Sequence, residues 1–381
     1  MKKTLAAVAV LGAFAGSALA ADVQLYGVVD TGLRYTHFDG DAAVAGYDAV
    51  DKFEMKSGQQ SGSRFGFKGT EDLGNGLTVG FILENQFNSD DGSLTDGDHF
   101  FRREASLFLE GGFGKIAMGR IGSINNGVSS WAQFGMLSAF GTSWDYSAQM
   151  GTWAVGAGIW DNMIAYQTPT FAGFTVYAQY GMGSNNNENE SSSDRYYALG
   201  AKYANGPLNL YLAVDSINYQ TANLTAGVNA DDIDDSLTVT FGGNYDFEVV
   251  KLFAGAQYYD EAKISTAFGL LDSADYNAQT YAGKFKGWSL GVSASIPAAG
   301  GQVLVGAGYM DAEAADSQKA AKDDELTRWV VSAGYDYPLS KRTNVYGILT
   351  YAQDSLDYTD TAAKDQDPTV FAAMIGLRHK F

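Results

Sequence analysis

Side chains able to do covalent chemistry are scarce in this 381-residue chain. It has no cysteine, which rules out a disulfide, a thiolate zinc site and a thiol nucleophile. Its three histidines are His37, His99 and His379. A hydroxyl nucleophile needs a base within hydrogen-bond reach. His37 and His99 fall at the edges of loops and His379 in a strand pattern, none beside a Ser or Asp constellation. The reading is that the chain is not an enzyme and carries no cofactor. Carboxylates are plentiful, 44 against 25 Lys and Arg, giving a net charge of −19. That acidity excludes nucleic acid as a partner, which would require a basic surface. The acids gather in runs such as Asp39, Asp41, Asp48 and Asp51, Asp90, Asp91, Asp96 and Asp98, and Asp231, Asp232, Asp234 and Asp235. None of these runs has the twelve-residue spacing of a Ca²⁺ loop, so they read as solvated, mutually repelling loop tips. The remaining chemistry is fixed charge on strands.

Period-2 alternation runs through the chain. Val23, Leu25, Val29, Leu33 and Tyr35 share one face of the first segment, and Gln24, Asp30, Arg34 and Thr36 the other. By the same count Phe65 and Phe67 oppose Arg64 and Lys68. Candidate strands cover roughly 23–37, 62–70, 77–87, 101–110, 115–121, 162–168, 173–181, 195–204, 207–219, 236–246, 249–259, 287–296, 302–311, 326–337, 343–353 and 370–381. Their connections alternate between short turns rich in Gly, Pro, Asn and Asp and long acidic segments, among them 38–61, 88–100 and 122–161. A soluble sandwich has no reason to segregate loop lengths in this way. A transmembrane antiparallel β-barrel does, with short periplasmic turns and long external loops. Mean hydropathy of −0.14 is compatible with it, because lipid-facing and lumen-facing residues cancel in any window. The fold class is therefore all-β, a barrel of about sixteen strands over residues 21–381. Lys2, Lys3, the apolar run Leu5–Gly16 and Ala18-Leu19-Ala20 make residues 1–20 a cleaved export signal.

Several stretches resemble the Gram-negative general porins, in particular their β-proteobacterial branch. They include Val23-Gln24-Leu25-Tyr26-Gly27, Gly62-Ser63-Arg64-Phe65-Gly66-Phe67-Lys68-Gly69 with Glu71-Asp72-Leu73-Gly74-Asn75-Gly76, Gly111-Gly112-Phe113-Gly114-Lys115 with Gly119-Arg120, and Phe171-Ala172-Gly173-Phe174. The stretch Gly376-Leu377-Arg378-His379-Lys380-Phe381 completes the series. These blocks extend from one end of the barrel region to the other. The resemblance implies an outer-membrane homotrimer that passes inorganic ions and small hydrophilic solutes by passive diffusion. Implied partners are lipid, lipopolysaccharide, periplasmic chaperones and the barrel-assembly machinery. For the acidic loops, divalent ions bridging them to lipopolysaccharide are the functional alternative to solvated tips. Phe381 is then the assembly signal, and its parity with Phe371, Ile375 and Leu377 also suits a girdle aromatic facing lipid.

The resemblance further implies that the third long loop, about 122–161, folds into the lumen opposite a basic wall. Candidates for that wall are Arg34, Arg64, Lys68, Arg102, Arg103 and Arg120. Only one of Arg102 and Arg103 can point inward, with polar parity favouring Arg102 and similarity Arg103. Arg120 matches a family position yet shares parity with Ile116 and Met118. Asp30 and Glu84 are candidate lumen acids. Within the loop the acid is Asp145, beside Trp131, Trp144, Trp153 and Trp160. These rings either anchor the loop or form a track for flat solutes, which would make the protein a substrate-specific channel.

Overall fold

The computed structural model describes residues 22–40, 49–142, 151–155, 158–183, 193–219, 234–264, 284–316, 324–358 and 365–381. Residues 1–20, expected to be an export signal, and Trp144 and Asp145 in the third long connection, lie outside them, as do Asp41, Asp48, Asp231 and Asp232.

Among the described residues the strands are β1 (Asp22–Asp39), β2 (Val50–Ser57), β3 (Arg64–Gly74), β4 (Leu77–Gln86), β5 (Glu104–Gly111), β6 (Gly114–Gly122), β7 (Ala154–Val155), β8 (Ile159–Gln167) and β9 (Phe174–Gly181). They continue as β10 (Arg195–Asn205), β11 (Leu208–Asn218), β12 (Leu237–Asp246), β13 (Lys251–Ile264), β14 (Phe285–Ala298), β15 (Gly301–Ala314), β16 (Glu325–Pro338), β17 (Thr343–Asp357) and β18 (Thr369–Lys380). Each wall strand pairs antiparallel with the next, and β18 returns to β1 with Thr31 opposite Leu377. β2 and β3 pair in succession with the upper and lower halves of β1, so together they make one wall strand. β7 is a short rung inside the third long connection. The wall is thus a closed sixteen-stranded barrel, and closure leaves no open edge in the bilayer.

Burial is inverted relative to a soluble protein. Leu25, Leu107, Met118, Leu199, Phe241, Val292 and Ile375 are exposed on the outside. Asp30, Arg34, Glu84, Glu104, Asp215, Arg328 and Asp354 are buried inside. Ring pairs band the outside at both ends. Trp288–Tyr309, Trp329–Tyr351 and Tyr180–Tyr197 lie toward the long connections, and Phe174–Tyr203 and Tyr245–Phe247 toward the short turns. Such aromatic belts sit at the two membrane–water interfaces.

Most strand ends shift by a few residues from the sequence reading, and two of the differences bear on the site. The segment 38–61 is not loop throughout, because β1 runs on to Asp39 and residues 50–57 pair back onto it. Alternating Lys52, Glu54 and Lys56 had masked that strand as a polar loop. The strand expected from 101 begins at Glu104, so Arg102 and Arg103 precede it and alternation does not decide their direction.

Candidate functional site

The third long connection leaves β6 at Gly122, returns at β8, and packs against the inner wall. At its start Gln179 on β9 accepts from the Ile124 amide at 2.8 Å and donates to the Gly122 carbonyl at 3.1 Å. Glu104 on β5 accepts from both the amide and the hydroxyl of Ser130, at 2.8 and 2.9 Å. A short 3₁₀ turn, Phe134–Leu137, follows. Asn244 on β12 then donates to the Met136 carbonyl at 2.8 Å, and Ser293 on β14 accepts from the Ala139 amide at 2.9 Å. At the far end Arg328 on β16 donates to the Gly151 carbonyl at 3.0 Å, and β7 pairs with Lys263 and Ile264 of β13.

Apolar packing holds the same path. Trp131, Phe134, Leu137 and Trp153 are buried against Tyr177, Tyr196 and Tyr211 of the wall. The wall makes room by omitting side chains. A Cβ on Gly255 would lie 2.7 Å from the Trp153 ring, and one on Gly242 2.9 Å from Leu137. Trp131 and Trp153 therefore anchor the loop, with no ring face left over for a solute. Trp160 opens β8 and stacks on Tyr196 at 5.6 Å.

Hydrogen bonds that hold the loop come from β5, β9, β12, β13, β14 and β16. The strands opposite, β1, β3, β4 and β18, carry most of the sequence-predicted charges. Arg64 lies directly across from Val28 on the inner face and keeps 24 % of its side chain exposed. It donates to the Ser61 hydroxyl at 3.0 Å and the Gly62 carbonyl at 2.9 Å, and its Nε stands 3.5 Å from Glu84. Glu84 also accepts from Arg103 at 2.5 Å, while Arg103 donates to Gln86 at 2.9 Å. One carboxylate thus serves two guanidiniums. Lys68 is exposed, with its ammonium 5.3 Å from the centre of the Tyr26 ring. Arg34 is buried and donates to Glu54 from Nε at 3.0 Å and from Nη2 at 2.6 Å, so its charge is matched.

Two candidates stand apart from this group. Arg120 pairs with Asp161 and donates to the Arg102 carbonyl at 2.9 Å. The register shifts between Gly119 and Ile121, which is why parity with Met118 could not fix its direction. His99 joins Asp161 to Asp96, and Arg102 lies 3.9 Å from Asp96. Asp96 is held below the ordinary carboxylate range, chiefly by the amide of Asp98 and further by His99, against a desolvation penalty. Asp30 stands on the inner face but is fully covered. It accepts from the amides of Gln60 and Ser61 at 2.9 and 2.7 Å and from the Tyr346 hydroxyl at 2.5 Å. It therefore presents no open charge to the lumen.

Sequence reading passed over Arg378, Lys380, Glu104 and the pair Arg328–Asp354. Arg378 is opposite Asp30 and Lys380 opposite Val28, both on the inner face. Alternation against Leu377, His379 and Phe381 already required this. Among the described residues neither cation has a carboxylate within 4 Å, and Arg378 donates only to Asn344, at 2.9 Å.

Comparison with known proteins agrees with the barrel fold. The family model described as Gram-negative porin matches residues 6–357. An outer membrane porin protein of Bordetella pertussis is 34% identical, with all of both chains covered. Outer membrane porin protein 32 of Delftia acidovorans is 31% identical over 93% of this chain and 90% of its own. Among solved structures, an anion-selective porin from Comamonas acidovorans superposes with a TM-score of 0.68 at 25% identity, covering 95% of this chain and all of that one.

Proposed function

We propose, for a chain that belongs to the Gram-negative porin family and forms a passive diffusion channel across the bacterial outer membrane, that its basic inner wall makes the channel modestly anion-selective. The observation that carries this is the mismatch of open charge on the wall facing the third loop. Arg64, Lys68, Arg378 and Lys380 share that face with two nearby carboxylates, Glu84, already paired with Arg64 and Arg103, and Asp336, which accepts from Gln60 and Asn344. Arg34 and Arg103 contribute less, because each already faces a carboxylate at hydrogen-bond distance. The Comamonas acidovorans porin is itself anion-selective, which is consistent with this reading. We infer further that the channel performs no catalysis, that residues 1–20 are removed on export, and that the protein assembles as a homotrimer in contact with lipopolysaccharide. Phe381 would be read by the barrel-assembly machinery. An apolar outer depression around Leu33, Phe53, Ala333, Gly347 and Ala373 suits contact with a second copy.

The test is a planar-bilayer reversal potential in a salt gradient. One unit charge at 4 Å in a water-like medium is worth about 1 kcal/mol. The double variant Arg64→Ala/Lys68→Ala should therefore lower the anion-to-cation permeability ratio by roughly 3- to 5-fold. An unmoved reversal potential would sink the assignment.

Salt should modulate this preference. The net charge of −19 resides mainly in the external loops and draws cations to the mouth. That field decays over about 10 Å at 0.1 M and about 3 Å at 1 M. The narrow wall, where low-dielectric surroundings focus the field, then dominates at high salt. The expected result is anion preference in molar salt, drifting toward cations as salt falls. Strong cation preference in molar salt would contradict it.

A further inference from the structure

The register of β1 against its partner contains an irregularity that the loop assignment concealed. Ser57 lies opposite Thr31 and Arg64 opposite Val28. Six residues, Gly58–Ser63, thus oppose only Val29 and Asp30. Bulges of this kind re-aim side chains beside functional sites. Inside a bilayer one survives only if its backbone groups are satisfied within the protein, and five of those of the insert have partners here. Gly58, at φ +71, turns the chain out of the ladder and donates to the Asp30 carbonyl at 2.8 Å. The Ser63 hydroxyl accepts from the Asp30 amide at 3.0 Å, and the Ser63 carbonyl accepts from Phe87 at 3.0 Å. The Asp30 carboxylate takes the amides of Gln60 and Ser61.

The insert turns into the barrel. Gln59 lies over the inner face of β1, its Nε2 only 2.1 Å from where a Cβ on Gly32 would stand, and points to the Ile375 carbonyl of β18. Gln60 donates to Asp336 on β16 at 2.9 Å and accepts from Asn344 on β17 at 2.8 Å. From the wall position of β2 and β3 the contact with β16 lies four strand spacings away, past β1, β18 and β17, roughly 19 Å of wall at about 4.8 Å per strand. Three guanidiniums meet on the insert. Arg64 holds Ser61 and Gly62, Arg103 has Nη1 3.4 Å from the Cβ position of Gly62, and Arg378 shares Asn344 with Gln60.

We propose that Gly58–Ser63 is a second constriction element, facing the third loop, with Asp30 as its positioning residue. It sets the width of the pore on this side and holds Arg64, Arg103 and Arg378 as one group. The proposal rests on the channel reading but not on the sign of its selectivity.

Deleting Gln59–Gly62 leaves two residues opposite two and restores a regular strand. In planar bilayers the folded deletion variant should conduct about 1.5-fold more or better, because width controls flow through an aqueous pore. It should also admit larger neutral polyethylene glycols, scored by their block of conductance. Unchanged conductance and polymer cut-off would overturn the proposal. Should the deletion fail to fold, Gln60→Ala decides, since it removes only the ties to Asp336 and Asn344. Added current noise and a raised cut-off are expected, and wild-type values of both would overturn the proposal. The Arg64→Ala/Lys68→Ala variant removes the ties at Ser61 and Gly62 but keeps those of the insert to Asp30, Asp336 and Asn344. A cut-off that moves on deletion while that variant's reversal potential stays fixed would therefore uphold the insert and reject the charge reading.

Discussion

Phe381→Ala is expected to lower the yield of folded, heat-modifiable barrel by about tenfold, while the channels that do form conduct normally. Phe381 stands at the seam where the barrel closes. Its amide donates to the Gly27 carbonyl and its carbonyl accepts from the Gly27 amide, both at 3.1 Å. Its ring lies over Gly27, where a Cβ would sit 2.3 Å from Cζ. Half-burial of an aromatic ring contributes about 1–2 kcal/mol, and about 1.4 kcal/mol is a factor of ten. Every other strand is joined to its neighbour by a covalent turn or loop, but β1 and β18 meet only through space, so the loss falls on the closing step. Gly27→Ala separates two explanations. It keeps the aromatic available to the assembly machinery yet pushes the ring off its seat. A loss in both variants identifies the seam, whereas a loss in Phe381→Ala alone identifies recognition of the side chain. Equal membrane levels in both would reject either role.

Strand direction was legible in the sequence because a barrel wall repeats one rule. Val29, Leu33 and Tyr35 outside, with Asp30, Arg34 and Thr36 inside, follow from period 2 alone and agree with the burial along β1. The alternation of short and long connections was equally legible, since a tight turn must spend Gly, Asn or Pro. What was not legible is how each charge is spent. Arg34 and Glu54 are twenty positions apart and meet only because residues 50–57 pair with β1, a strand that its lysines and acids disguised. Gly58-Gln59-Gln60-Ser61-Gly62-Ser63 has the composition of a surface turn, and nothing local says that it points inward. Asp30 looked like an open lumen acid because parity gives a side and not a partner. Arg120 escaped parity because it stands opposite two residues of β8, Asp161 and Asn162, a bulge in the partner strand that its own spacing does not announce.

The same limit hid Arg328 and Asp354, which face each other across β16 and β17 only once the hairpin register is known. Arg328 is 1% and Asp354 0% exposed. Their fork is bidentate, Nε to Oδ1 at 2.6 Å and Nη2 to Oδ2 at 2.7 Å, and the third nitrogen holds the Gly151 carbonyl. Arg328→Met removes the fork, takes the guanidinium away from the buried Asp354 carboxylate and removes one tie at the far end of the third loop. Breaking such a pair from one side costs about 3–5 kcal/mol. The expected result is a markedly lower temperature for the heat-modified shift on gels, together with noisy, flickering single-channel current. Arg328→Met/Asp354→Leu distinguishes the two consequences, because replacing both charges by apolar groups of similar size is close to neutral for stability. Thermal stability should then recover while the flicker persists, since Gly151 still lacks its donor. A quiet, wild-type current in the double variant would mean that the far end of the loop is held without Arg328, by Ser289, Gln257 and the β7 rung.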